Sequence, residues 1–293
     1  MPNVRAIPTL RRRRLGEALR KYRSEAGASG LSLEQAAALM GGTWHASKLS
    51  RIENANGKIS VKEVETLLGH YSVTDPEVTE ALQILARDAG KTGWWTSYGE
   101  AAPPALRDLI SAQADAESIH QYHPSAIPGL LQTGAYAEAM TGATAFHLSP
   151  EEHAPIVEVR VARQSLLTRR SPVRYWVILD EHLLLQQFPS QPTLMRDQLR
   201  HLLDMADLPN VTIQIMPIGA GVHPGASGNF TINHFPDPWP TLIAIEGYMH
   251  MRFHDGAGLE PKVFGEAFNR IVATASPADQ SREIIRKHME GTS

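Results

Sequence analysis

The sequence predicts an α+β protein in two parts: an all-α domain over residues 1–92, then a mixed domain over residues 93–293 whose short strands form one sheet covered by helices. Three observations predict it. The N-terminal part carries short segments with helical apolar spacing, bounded by capping signals. Beyond Gly93-Trp94-Trp95, Gly99 and Pro103-Pro104 the pattern changes, and short apolar runs alternate with longer helical ones. Charge is divided as well. Met1 to Lys62 holds 12 Lys and Arg against 4 Asp and Glu, or +8, and the remainder carries −11, for a total of −3.

Arg11 to Ala26 reads as the first helix, with Leu15, Leu19 and Tyr22 at helical spacing among Arg and Lys; Gly27, Ser29 and Gly30 end it. Ser32-Leu33-Glu34-Gln35 is a capping box: the Ser32 hydroxyl takes a backbone N–H and Gln35 reaches back to the Ser32 N–H. The second helix runs to Met40, where Gly41-Gly42 stops it, since glycine adopts the left-handed turn without a Cβ clash. A third helix covers Ala46 to Asn54, and a turn follows to Lys58. Ser60-Val61-Lys62-Glu63 is a second capping box and opens a helix that turns Val64, Leu67 and Leu68 inward. Asp75-Pro76, a cap with proline at the first helical position, opens a fifth helix ending near Gly90.

In the second part, Ala105 to Ile119 reads as helix, and Pro128-Gly129-Leu130-Leu131-Gln132-Thr133 as a turn into a helix near Ala135. A third capping box at Ser149 to Glu152 opens a helix to about Leu167. Strands are expected at Arg174 to Leu179, Val211 to Met216, Phe230 to His234 and Leu242 to Glu246, with an amphipathic helix from Leu194 to Ala206. Helices from Glu260 to Ala275 and Ala278 to Met289 finish the chain. The Trp94-Trp95 pair reads either as a packing anchor between domains or as a partner surface.

Composition excludes several classes. Without cysteine there is no disulfide, thiolate zinc site or cysteine nucleophile, which suits a reducing cytoplasm. No signal-like N-terminal run and no span of roughly 18 apolar residues is present, so a soluble cytoplasmic, nucleoid-associated protein is expected. A basic segment on an otherwise acidic chain points to a polyanion as partner, or to an ordinary solvated surface.

The second and third helices have what a helix-turn-helix needs. Small residues allow a close crossing (Ala36, Ala37, Ala38), glycines make the turn, and Leu49 and Ile52 face inward. His45, Ser47, Lys48, Ser50 and Arg51 are left to reach bases or phosphates of duplex DNA. The candidate DNA contacts are these five with Ala46, Asn54 and Lys58, plus Gln35 on the second helix and Arg14 on the first. Arg51 and Ser47 lie four residues apart and face one groove, with Arg51 suited to guanine and Lys48 to phosphate.

Ser32-Leu33-Glu34-Gln35 through Ser47-Lys48-Leu49-Ser50-Arg51-Ile52-Glu53 resembles the helix-turn-helix of the xenobiotic-response-element (XRE) regulators, which include phage repressor and Cro proteins. The resemblance implies a lambda-repressor-like domain, with Gly42-Thr43 lengthening the turn. The later motifs are Gly93-Trp94-Trp95, Pro128 to Thr133, Arg160 with Arg163-Gln164, Gln198-Leu199 with His201-Leu202-Leu203, and Gly221 to Gly225 with Gly228-Asn229-Phe230-Thr231. They resemble the domain of unknown function that follows such motifs in many actinobacterial regulators. Those regulators are often encoded beside a small partner protein, in arrangements compared to toxin–antitoxin pairs.

Other candidate sites are weaker. Gly219 to Gly225 lacks the G-x-G-x-x-G spacing of a nucleotide loop, and Ser227 misses the nucleophile elbow at its last glycine. On a strand, His250 and His254 share a face but stand about 13 Å apart, too far for one ion, and with Asp255 they read as ordinary surface residues. Arg160 and Arg163 with Glu158 form either a solvated or inter-helix charge cluster or a site for an anionic ligand. His223, in a glycine-rich loop, lines a pocket or sits in a plain surface turn. No convergent catalytic set assembles, so neither an enzyme nor a cofactor or metal is expected. The sequence thus points to a transcription regulator, a homodimer on a pseudo-palindromic operator, whose second domain senses a ligand or a small partner protein. The alternatives are an antitoxin-like protein of a two-gene module and an enzyme fused to a DNA-binding domain.

Overall fold

A computed structural model of the chain describes residues 9–89, 104–237, 239–247, 250–255 and 259–291. Gly93, Trp94, Trp95, Gly99 and Pro103, read above as the domain junction, lie outside the described residues. The chain divides into two compact units: Met1–Trp94 with Pro236–Trp239, and Trp95–Phe235 with Pro240–Ser293. Among the described residues no helix is long and apolar enough to cross a membrane.

The first unit is five helices: α1 (Leu10–Glu25), α2 (Leu33–Met40), α3 (Ala46–Glu53), α4 (Val61–His70) and α5 (Pro76–Asp88). The capping signals act as the sequence predicts. Ser32 Oγ accepts the Gln35 N–H at 3.2 Å and Gln35 Oε1 accepts the Ser32 N–H at 2.8 Å. Ser60 and Glu63 repeat the reciprocal pair, and Asp75 Oδ1 accepts the N–H groups of Glu77 and Val78 ahead of α5. These bonds satisfy orphan donors at helix starts. The helices enclose a core of Leu15, Leu19, Ala36, Leu49, Ile52, Val64, Leu67, Leu68, Leu82 and Leu85.

The second unit is built on one six-stranded sheet of order β3-β2-β1-β4-β5-β6. Its strands are β1 (Ser118–His123), β2 (Arg174–Asp180), β3 (Val211–Met216), β4 (Phe230–His234), β5 (Leu242–Glu246) and β6 (Met251–Asp255). β1, β2 and β3 run parallel, whereas β4 pairs antiparallel with β1 and leads an antiparallel meander through β5 and β6. The helices are α6 (Pro104–Asp115), α7 (Gly134–Thr144), α8 (Pro150–Ala162), α9 (Leu194–Ala206), α10 (Leu259–Thr274) and α11 (Ala278–Gly291). α7 and α8 make the crossover from β1 to β2, and α9 the one from β2 to β3, as parallel neighbours require.

The expected helix from Ala105 to Ile119 is corrected: it ends at Asp115, and Ser118–His123 is the central strand. Both faces of β1 are covered, so its side chains do not alternate between polar and apolar. Ile119, Gln121 and His123 lie on one face, while His120 and Tyr122 lie on the other under α10, with Ile178, Phe230, Ile232, Phe264, Phe268 and Ile271.

Candidate nucleic-acid interface

α1 crosses α3 so closely that a Cβ on Gly16 would lie 2.5 Å from the Glu53 carbonyl oxygen and 2.8 Å from that of Ile52. An ion pair between the half-buried Arg23 and the buried Glu53 fixes the same crossing. Arg23 Nε donates to Glu53 Oε1 at 2.6 Å and Arg23 Nη2 to Glu53 Oε2 at 2.8 Å, with the Glu53 side chain 2% exposed. The Glu53 hydrogen bond raises the Arg23 pKa against the opposing effect of burial. Arg23 also donates to the Leu31 carbonyl at 2.7 Å, so one side chain ties α1, the residue before α2 and α3 together.

α2 reaches α3 through a turn in which Gly41 and Gly42 both take positive φ, 64° and 59°. Ala36 and Ala37 are buried at the crossing; Ala38 is exposed, a correction to its expected inward position. α3 turns Leu49 and Ile52 into the core and leaves Ser47 and Arg51 exposed, one above the other on its outer side, with His45 exposed at the N-cap. Ala46 and Ser50 are half-buried beside that row.

The remaining candidates differ in how they are held. Lys48 donates to Glu63 Oε1 at 2.9 Å, and its Nζ lies 4.0 Å from the centre of the Trp44 ring, so it leans toward α4. Burial pushes the Glu63 carboxyl up, but its hydrogen bonds from Ser60 and Lys48 outweigh this and hold its pKa below the usual value. Asn54 is exposed, yet its amide nitrogen donates to the Ser50 carbonyl at 2.8 Å and its oxygen accepts from Arg20 Nη2 at 2.7 Å. Gln35 is exposed with its oxygen committed to the cap. Lys58 is exposed and shares a hollow with Arg12 and Arg87. Arg14 is corrected: at 5% exposure it follows Leu10 by one helical step on the inner stripe of α1 and presents nothing to a ligand surface. Arg20 was missed by the spacing of α3 alone, because its bond to Asn54 joins residues 34 apart.

In the second unit the structure brings Arg160 and Arg163 together and places His223, the third candidate ligand residue, elsewhere. Arg163 is buried and donates to Gln113 Oε1 at 2.7 Å. Gly129 lies against both arginines: a Cβ there would stand 3.9 Å from Arg163 Nη1 and 4.0 Å from Arg160 Cγ. Glu158 is exposed. His223 belongs elsewhere, its Nδ1 accepting the Gly225 N–H at 3.2 Å and its ring edge-on to Tyr122 on the α10 face. His254 pairs with Glu260 at 3.4 Å.

Two helices joined by a tight turn, the second offering an exposed polar row, define a helix-turn-helix DNA-binding domain, and the helix-turn-helix family model matches residues 14–82. The model described as Domain of unknown function (DUF5753) matches residues 106–287, more than half of the chain, and the protein belongs to that family. No curated protein and no solved structure matches.

Proposed function

We propose that this protein is a sequence-specific transcription regulator of the XRE type rather than an enzyme, and that its C-terminal domain senses a small molecule or a small partner protein. The exposed Ser47–Arg51 row on α3 carries the reading. It projects from a helix locked in place by Leu49, Ile52 and the Arg23–Glu53 pair, and a rigid support is what base readout requires. The +8 charge of Met1 to Lys62 supplies the phosphate attraction. One such helix reads few base pairs, so the reading includes a homodimer on a pseudo-palindrome with half-sites about one helical turn, or a multiple, apart.

Selection of bound sequences from randomised duplexes by the full chain tests it. The expected result is a two-fold symmetric consensus. Its affinity falls with salt at a log–log slope of about −0.9 per phosphate contacted. Random recovered sequences, or affinity indifferent to salt, overturn it. Light scattering on the complex reports the dimer.

A further inference from the structure

The motifs that the helix-turn-helix does not use converge in the second unit. The turn at 128–133 is held by three buried or half-buried amides. Gln132 Nε2 donates to the Ile127 carbonyl at 2.7 Å, and Gln198 Nε2 to that of Leu131 at 2.6 Å. Gln164 Nε2 donates to the Gly129 and Gln132 carbonyls at 3.2 and 2.5 Å. Gln198 Oε1 also accepts the Thr133 N–H at 2.7 Å. So many side chains spent on one turn make it a rigid wall.

Arg160 and Arg163 stand against that wall at Gly129. The sheet face below them is polar where a core is normally apolar: Gln121 and His123 are 5% and 8% exposed, and Tyr175 donates to Gln121 Oε1 at 2.6 Å. Arg163 is 7% exposed; Gln113 takes its Nη2, and its Nε is buried without a hydrogen-bond partner. Among the described residues nothing bonds its Nη1, which faces Gly129, and Arg160 makes no hydrogen bond or ion pair. The carboxylate of Glu246 acts on both guanidiniums from a distance, without contact. Burial lowers the pKa of both arginines and of His123, which leaves His123 neutral at pH 7. The cluster therefore holds two cations against one anion. Buried guanidiniums are ordinarily paired.

We infer that Arg160 and Arg163, beside Gly129 and over the Gln121–Tyr175 face, form the binding site of a small organic monocarboxylate. A carboxylate matches a guanidinium in planar, two-point fashion, and one negative charge brings the cluster to neutrality. A phosphate dianion would overshoot it and be repelled by Glu246. The site gives the sensing reading a ligand class, and it is tested without DNA so that the two stand or fall separately.

The full chain is titrated by calorimetry and thermal shift with acetate, propionate, benzoate and pyruvate, beside inorganic phosphate and chloride at matched ionic strength. Saturable stabilisation by at least one carboxylate, and by neither phosphate nor chloride, is expected. Arg160→Met and Arg163→Met should each weaken it by about tenfold or more. In the absence of carboxylate Arg160→Met, which loses no hydrogen bond, should unfold at or above the wild-type temperature, and Arg163→Met, which frees Gln113, within about 5 °C of it, which separates loss of the site from loss of the fold. Absence of saturable carboxylate binding, equal binding of phosphate, or binding unchanged in both variants overturns the site. Should the carboxylate bind without altering operator affinity, the site stands and the sensing reading falls.

Discussion

Each unit of this protein draws an arginine away from solvent, Arg23 half-buried against the buried Glu53 and Arg163 7% exposed, and the two do opposite things with it. In the helical unit Arg23 meets Glu53 in a two-point ion pair, and every group around them is spent on joining α1 to α3. In the α+β unit Arg163 keeps one neutral partner, Gln113, and a second guanidinium lies beside it. Desolvation costs several kcal/mol per ion unless a counter-charge offsets it. A paired buried charge is thus architecture. An unpaired one is a cost that stability alone does not explain.

The largest test follows directly. Glu53→Ala removes the counter-charge of the half-buried Arg23 and should destabilise the helical unit by about 1.5–3 kcal/mol. Arg163→Met removes a buried charge but also the donor to Gln113 Oε1; the two offset, and the α+β unit should change by no more than about 1 kcal/mol. Hydrogen exchange across a urea series resolves the two units separately. If both substitutions destabilise alike, the contrast between paired and unpaired arginine is broken.

Glycine gives a second, smaller contrast. At Gly16 an added methyl meets backbone at 2.5 Å, which no side-chain rotation relieves. Gly16→Ala should cost about 1–3 kcal/mol by overpacking. At Gly129 the same methyl meets only side-chain atoms at 3.9 and 4.0 Å, an ordinary contact. Gly129→Ala should change stability by no more than about 0.5 kcal/mol. Equal losses in chemical denaturation would mean that α1 and α3 can separate at little cost.

The two units also differ in how legible they were. The helical unit is built from local signals, and Ser32, Gln35, Ser60, Glu63 and Asp75 announce their helices within four residues of themselves. Four of the six strands are equally plain, because apolar residues cluster in them or, as in Phe230–His234, alternate with polar ones. β1 is not: Ser-Ile-His-Gln-Tyr-His earns its place only by pairing with β2 and β4, from residue 174 and residue 234. The same distance hid the partners of the site residues. Arg14 is a basic residue on a basic helix, yet helix phase sends it inward. Arg160 and Arg163 stand together in the sequence, but Gln113, 50 residues away from Arg163, and the polar sheet face reach them only through the fold.

On DNA, the contrast lies within a single helix. Arg51 is exposed and Lys48 is engaged by Glu63 and Trp44. Arg51→Ala should cost about 1–3 kcal/mol on the selected site and relax the consensus at one position per half-site. Lys48→Ala should weaken all sequences alike, and by less, since its charge is already partly neutralised. A consensus that survives Arg51→Ala unchanged would remove Arg51 from the readout.

The smallest effect concerns protons. On the α10 face His120 stacks on Phe268 and shares a hydrogen bond of 3.3 Å with His234. Burial first, then His234 and Arg174, push the His120 pKa down to about 4 from an ordinary 6.5, and the His234 pKa is lowered by burial and Arg174. The unfolded chain therefore takes up protons near pH 6.5 that the folded pair refuses. Stability falls as pH drops through that window, and it is fully present above it. The raised proton uptake belongs to the α+β unit, so its urea midpoint should decline between pH 7.5 and 5 more than that of the helical unit. His120→Gln with His234→Gln should shallow the decline while preserving a side chain able to hydrogen-bond. A decline of equal slope in the double variant would place the acid sensitivity in His123 and His201, whose pKa values burial also lowers.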